Sequence, residues 1–254
     1  MQVQWLGPLV TYADGMARMR EAMARVDEAG PVLLLMSHTP TITITRRGGT
    51  GAFLAPRELI ERDGIEVIET DRGGDVTFHG PGQLVGYPVL RLGPSSLGSN
   101  VVGYVRALEQ GLVDACRALG VVDAHQKSSR DADGNHLTGV WCKAPVVEAA
   151  SCSFVLTEHQ DAKVCAIGVG LSGGVTRHGF ALNVTTDIER FTRHITPCGL
   201  TGRTATSLER ALPRPPSFER TRDVVSDHVV SALHSFHSPL HPSTIHREEA
   251  VSHG

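Results

Sequence analysis

From Tyr12 to Glu28 apolar residues recur at helical spacing, at Met16, Met19, Met23 and Val26, and Gly30 followed by Pro31 marks the stop. The next run, Val32 to Met36, is apolar without interruption, which predicts a strand buried on both faces. Thr41 to Thr45 is rich in β-branched residues and predicts a second strand. Helical spacing returns behind Asn100, a good N-cap, with Val101, Val105, Leu108, Leu112 and Cys116 on one face and Gly120 as terminator. Short β-branched or aromatic segments flanked by glycine, 163–169 and 180–184, read as further strands. Past Ala211 the sequence LPRPPS is a linker-like break, after which Val224, Val225, Val229, Leu233 and Phe236 predict a last helix. Helices and strands do not alternate regularly enough for a doubly wound sheet. The fold class expected is α/β in the α+β sense, a mixed, largely antiparallel sheet flanked by helices.

Composition narrows the possible partners. With 24 Lys+Arg against 27 Asp+Glu the formal charge is −3, so nothing draws the chain to nucleic acid or to an anionic membrane. No apolar run approaches the roughly 20 residues that cross a bilayer, and MQVQWLGPLV lacks the regions of a signal peptide. A soluble, cytoplasmic protein is expected. Its core fits one domain over residues 1–236. The remainder, 237–254, is rich in His, Ser and Pro, and its histidine spacings match no compact ligand set, so a disordered tail is expected and no metal. Two stretches look like additions to the core: the polar Lys127 to Asn135, and Pro145 to Ala162.

The five cysteines, Cys116, Cys142, Cys152, Cys165 and Cys198, are odd in number and include no CxxC pair, which predicts free thiols in a reducing compartment. For most free cysteines a small buried hydrophobe is the ordinary role. Cys198 stands apart because Pro197 and Gly199 flank it, an arrangement that exposes sulfur at a turn. Reactivity needs thiolate, and a free thiol with a pKa of about 8.5 is mostly protonated at neutral pH unless a cation is near. Lys163, His79 and His178 are the candidate cations.

The densest chemistry lies in Arg72 to Gln83, RGGDVTFHGPGQ, with four glycines, one proline, one His and one Arg in twelve positions. Gly73, Gly74, Gly80 and Gly82 allow close backbone approach, so the segment reads either as tight turns bracketing a short strand or as a loop whose N–H groups face a ligand. Neither GxxxxGK[ST] nor GxGxxG occurs in a strand-to-helix context, which argues against a nucleotide cradle.

Four blocks in order, RGGDVTFHGPGQLVGYPVL at 72–90, KVCAIGV at 163–169, HGFALNV at 178–184 and PCG at 197–199, resemble the lipoyl(octanoyl) transferases. The resemblance runs from about Leu9 to about Leu208. It implies a fold like the biotin- and lipoate-protein ligases. It also implies a reaction in which an octanoyl group passes from octanoyl-acyl carrier protein to an enzyme cysteine, then to a lysine of a lipoyl domain. The acceptors implied are the lipoyl domains of 2-oxoacid dehydrogenase complexes and the glycine cleavage H protein. No cofactor is implied, since amide formation from a thioester runs downhill without ATP.

Carried over by motif, Cys198 is the nucleophile and Lys163 the residue that favours its thiolate. The substrate pocket would comprise Arg72, Gly73, Gly74, Asp75, Val76, Thr77, Phe78 and His79, then Ala166, Ile167 and Gly168, then Gly179, Phe180 and Ala181. Backbone N–H groups there suit a thioester oxygen, and Val76, Phe78, Ile167 and Phe180 suit an acyl channel, although plain core is the default for each. The sequence departs from the family pattern at Ser37, where an acidic residue is usual, at Thr45 in place of glycine, and at Gly170 in place of arginine. These departures bear on acyl-carrier docking and acyl-chain choice. Two other readings use the same residues: a paralogue with another acyl group or thioesterase activity, and a non-catalytic acyl- or lipoyl-domain-binding module.

Overall fold

The structure, a computed structural model, describes residues 1–45, 54–73, 76–93, 101–127, 137–144, 160–195 and 205–237. Cys198, Cys152, Gly74, Asp75, Asn100, most of both additions and the tail beyond His237 lie outside the described residues. No helix among the described residues is long and apolar enough to cross a membrane.

Two sheets are formed by the described residues. The larger contains β1 (Gln2–Trp5), β2 (Val32–Met36), β6 (Gln83–Val89), β10 (Val175–Asn183), β9 (Gln160–Ser172), β8 (Gly139–Ala144) and β7 (His125–Gln126), in that spatial order. Only β1 and β2 run parallel; every other neighbouring pair is antiparallel. The smaller has β3 (Thr41–Thr45) between β4 (Glu66–Thr70) and β5 (Thr77–His79). The expected mixed, largely antiparallel sheet with flanking helices is therefore present.

Strand β2 shows why the sheet is covered on both sides. Leu33 and Leu35 enter one core cluster, whereas Val32, Leu34 and Met36 enter another, so every second residue of VLLLM serves a different layer. The first cluster is closed by α3 (Val101–Ala118) and α6 (Phe218–His237). These helices meet at Gly111, where a Cβ would stand 2.9 Å from Ala232 Cβ. The second cluster is closed by α1 (Tyr12–Ala29) through Met19 and Val26. Thr11 caps α1, accepting from Asp14 N, and Gly30 ends it at φ 78°. Short helices complete the described chain: α2 (Arg57–Arg62), α4 (Ile188–His194) and α5 (Leu208–Ala211).

Three expectations need correction. The segments at 163–169 and 180–184 belong to one long hairpin, 160–172 and 175–183, turned at Gly173 and Gly174 with φ of 56° and 78°. Gly179, read as flanking the second segment, lies inside its strand as Gly168 does, and both are glycine because other backbone comes close. A Cβ at Gly168 would stand 2.8 Å from Gly73 O, and one at Gly179 would stand 2.1 Å from Gly86 O. The last helix starts at Phe218, six residues before the apolar stripe becomes regular. Periodicity does not reach strands β1, β4, β6, β7 and β8 or helices α2, α4 and α5, and β1 escapes it because all four of its residues are exposed.

Candidate active site

The hairpin and the glycine-rich segment enclose an open cavity. Arg72, Gly73, Thr77, His79, Lys163, Ala166, Ile167, Gly168, Gly179, Phe180 and Ala181 line it, together with Tyr12, Tyr87 and His178. The structure thus brings eleven of the pocket and catalytic residues implied by the motifs, and the candidate cation His178, to one place. Val76 and Phe78 do not join them. Both are buried in a separate cluster with Ile42, Ile60 and Ile195 beneath the smaller sheet, because alternation along β5 turns Thr77 and His79 toward the cavity and Phe78 away.

Lys163 reaches the cavity through a slip in strand register. Gly139 pairs with Ala166 and Val140 with Cys165, but Trp141 pairs with Lys163, so β9 carries one extra residue at Val164. Ala162 and Val164 face the large core, and beyond the bulge Cys165, Ile167, Val169 and Leu171 face it too. Lys163 therefore shares its face with Ala166 and Gly168. Its ammonium stands 4.9 Å from the ring centre of the buried Trp141, whose other cationic neighbour is Lys127 at 4.1 Å. Gly139, at φ 135°, leaves room for the lysine stem: a Cβ there would meet its Cδ and Cε at 3.4 Å.

One wall is a layer of rings. Tyr12, His38, His79, Tyr87 and His178 follow one another with centroids 5.4 to 6.1 Å apart. His38 Nδ1 lies 2.9 Å from Val10 O, so it carries the proton, and Tyr87 donates its hydroxyl to Nε2 at 3.1 Å. Burial holds the pKa values of His38 and His178 below the ordinary value and takes His79 down to about 3, with His38 as its next cause. His79 and His178 are thus held toward the neutral form, which leaves Lys163 as the remaining candidate of the three. Among the wall residues Tyr12, Tyr87 and His38 carried no signal that singled them out.

Arg72 ties strands together. Its guanidinium donates to Thr43 Oγ1 and Thr43 O at 3.0 and 2.9 Å and to Gly73 O at 3.0 Å. The departures also find physical places. Ser37 donates its hydroxyl to Gly80 O at 3.2 Å, which an ionised carboxylate in its place could not do. Gly170 faces Arg177 across the hairpin, and a Cβ there would stand 2.7 Å from Arg177 Nε. Arg177 occupies that space and pairs with Asp71, which also meets His178 Nε2 at 3.1 Å. Thr45 is buried at the end of β3 beside Thr70.

The close approach of Gly73 to β9 makes a prediction. Gly168→Val should lower stability by about 1–3 kcal/mol, because the added atoms strike backbone rather than a flexible side chain. Thermal unfolding checks it, at roughly 2–4 °C of Tm per kcal/mol, and an unchanged Tm would contradict the packing described.

A fold with this mixed sheet, and a lysine-bearing cavity bounded by a glycine-rich segment, defines a class: the lipoate-protein ligase fold. Lipoate-protein ligase A bound with ATP superposes with a TM-score of 0.67 at 17% identity, covering 92% of this chain and 85% of the other. A bipartite lipoate protein ligase from Thermoplasma acidophilum gives 0.62 at 16%, covering 92% and 84%. The sequence profile of the lipoyl protein ligase A/B catalytic domain matches residues 11–230. Curated octanoyltransferases are nearer in sequence. That of Koribacter versatilis (strain Ellin345) is 40% identical over 194 residues, 76% of this chain and 68% of its own length. That of Acidothermus cellulolyticus is 37% identical over 237 residues, 92% and 91%. The chain belongs to the lipoyl protein ligase A/B catalytic-domain family and, within it, to the octanoyltransferases, which are acyltransferases.

Proposed function

We propose that this acyltransferase takes an octanoyl group from octanoyl-acyl carrier protein onto Cys198 as a thioester. It then delivers the group to a lysine ε-amine on lipoyl domains of 2-oxoacid dehydrogenase complexes and on the glycine cleavage H protein. The catalytic domain spans residues 1–236. One observation carries the reading. Lys163 pairs with Ala205, and Thr206 N donates to Lys163 O at 3.0 Å, so the chain returns from the 196–204 segment, which contains Cys198, directly beside Lys163. Ile195 and Ala205, at the two ends of that segment, pack in the same small cluster.

The chemistry balances with these two residues. The Cys198 thiolate attacks the donor thioester, and the departing carrier thiolate takes a proton from the Lys163 ammonium. The acceptor amine then attacks the enzyme thioester, a C–N bond replaces the C–S bond, and the proton lost by nitrogen goes to neutral Lys163. The thiolate and ammonium are restored. Ala166 and Ala181, paired across the hairpin on the face that Lys163 shares, offer an apolar surface for the octanoyl chain, beside polar groups at Thr77 and His79.

The test is to incubate the protein with octanoyl-acyl carrier protein without ATP, follow its intact mass, and add apo lipoyl domain. An octanoyl adduct that moves to the domain is expected. Release of free octanoate would instead identify a thioesterase, and no adduct would identify a binding module. Lys163→Met should slow alkylation of the Cys198 thiol by iodoacetamide at neutral pH, about tenfold for each pH unit by which the thiol's titration moves up. An unchanged alkylation profile would remove Lys163 from the mechanism.

A further inference from the structure

A chain of buried amides stands behind the ring wall. Gln83 Nε2 donates to Phe78 O at 3.1 Å and to Asn183 Oδ1 at 2.9 Å, and Asn183 Nδ2 donates to Thr206 O at 3.0 Å. Thr206 N donates in turn to Lys163 O. With its amide hydrogens given to these acceptors, Gln83 presents Oε1 to His79, and an amide oxygen only accepts. His79 Nδ1, 2.8 Å from that oxygen, therefore carries the ring's proton. Nε2 is left as a bare lone pair. It has no hydrogen-bond partner among the described residues, and the ring lines the cavity while its Nδ1 edge is taken by Gln83 behind the wall.

Such a lone pair calls for a donor. The reacting end of an octanoyl thioester has no N–H or O–H, whereas the attacking amine of an acceptor lysine has both its hydrogens to offer. We propose that His79 Nε2 accepts a hydrogen bond from the acceptor lysine's amine and aims its nitrogen at the thioester carbon, with Gln83 and Asn183 as positioning residues that fix the required tautomer. This role rests on the transfer reaction proposed above. The proton released on C–N bond formation still passes to Lys163, and the C–S electron pair to Cys198, so His79 begins and ends neutral. Its low basicity fits that division: the ring stays an acceptor throughout the working pH range without capturing the proton.

The two half-reactions separate this role from others. In His79→Phe single-turnover transfer from adduct to apo lipoyl domain should fall about 30-fold or more, equivalent to about 2 kcal/mol, and by a clearly larger factor than adduct formation. Equal loss in both steps, or loss in adduct formation alone, would overturn the role while leaving the transferase reading intact. A wild-type protein that forms no adduct would overturn both. Independently of any variant, two-bond ¹H–¹⁵N correlation spectra of histidine-labelled wild-type protein should show His79 as the Nδ1–H tautomer. Gln83→Leu should admit the Nε2–H form and slow transfer but not adduct formation. An Nε2–H tautomer in the wild-type protein would sink the proposal.

Discussion

Cys198→Ala should abolish the octanoyl adduct and lower transfer to a lipoyl domain by at least about a thousandfold, the scale seen when a covalent nucleophile is removed. The size of the effect depends on no other thiol taking over. Cys116, Cys142 and Cys165 are buried in the core, and burial pushes the first two thiols up to about 12 and the third well above its ordinary value. None of them is ionised near neutral pH, and none can reach a carrier-bound thioester through close-packed side chains. Cys152 and Cys198 remain, and the 196–204 segment that contains Cys198 is the one whose far end pairs with Lys163. Intact-mass measurement on the alanine variant checks the prediction. An adduct that persists, located by peptide mapping on another cysteine, would refute it.

Mild acid should destabilise the protein well before its carboxylates titrate. His38, His79 and His178 are all held below their ordinary pKa of 6.5, with burial the leading cause in each. A depressed histidine pKa means that the unfolded chain binds the proton more readily than the folded one. The stability is therefore fully present above about pH 6.5 and is lost as pH falls from there toward the folded pKa. For His79, titrating near 3 when folded, the loss amounts to about 2 kcal/mol at pH 5 and about 3 kcal/mol at pH 4. His38 and His178 act in the same direction, and a total stability of roughly 5–15 kcal/mol makes this a large fraction. Urea midpoints measured at pH 7 and pH 5 should fall accordingly, and His79→Phe should flatten the dependence. Equal midpoints at the two pH values would show that these rings are solvated.

Much of the scaffold was legible from periodicity. The amphipathic stripe of α1, the unbroken VLLLM of β2 and the apolar face of α3 were read correctly because each element's burial follows directly from its own repeat. Strand β1 was not legible, since an edge strand with exposed residues is held by pairing rather than by its own apolar pattern. Within the site, the motif blocks pointed to the cavity, yet Val76 and Phe78 belong to the core. Alternation along VTFH sets apolar Val76 and Phe78 apart from polar Thr77 and His79, but only the packing of β5 against β3 decides which face meets Ile42. His79 and His178 read as possible cations because sequence carries no measure of burial, and burial is the leading cause that holds their charge off.

By itself the sequence determined the family, the residue types available for acyl transfer, the three long helices and the central strands β2, β9 and β10, because these depend on local repeats and on ordered motif blocks. Tertiary structure decided which of those residues meet. Simple alternation along KVCAIGV would set Lys163 on the same face as Cys165, pointing into the core. One extra residue at Val164, opposite a partner strand that contributes none, reverses that parity and turns the lysine to the cavity. The glycines follow the same logic: Gly168 and Gly179 are required by backbone arriving from Gly73 and Gly86, roughly 90 residues away in the chain, and no local pattern encodes that encounter.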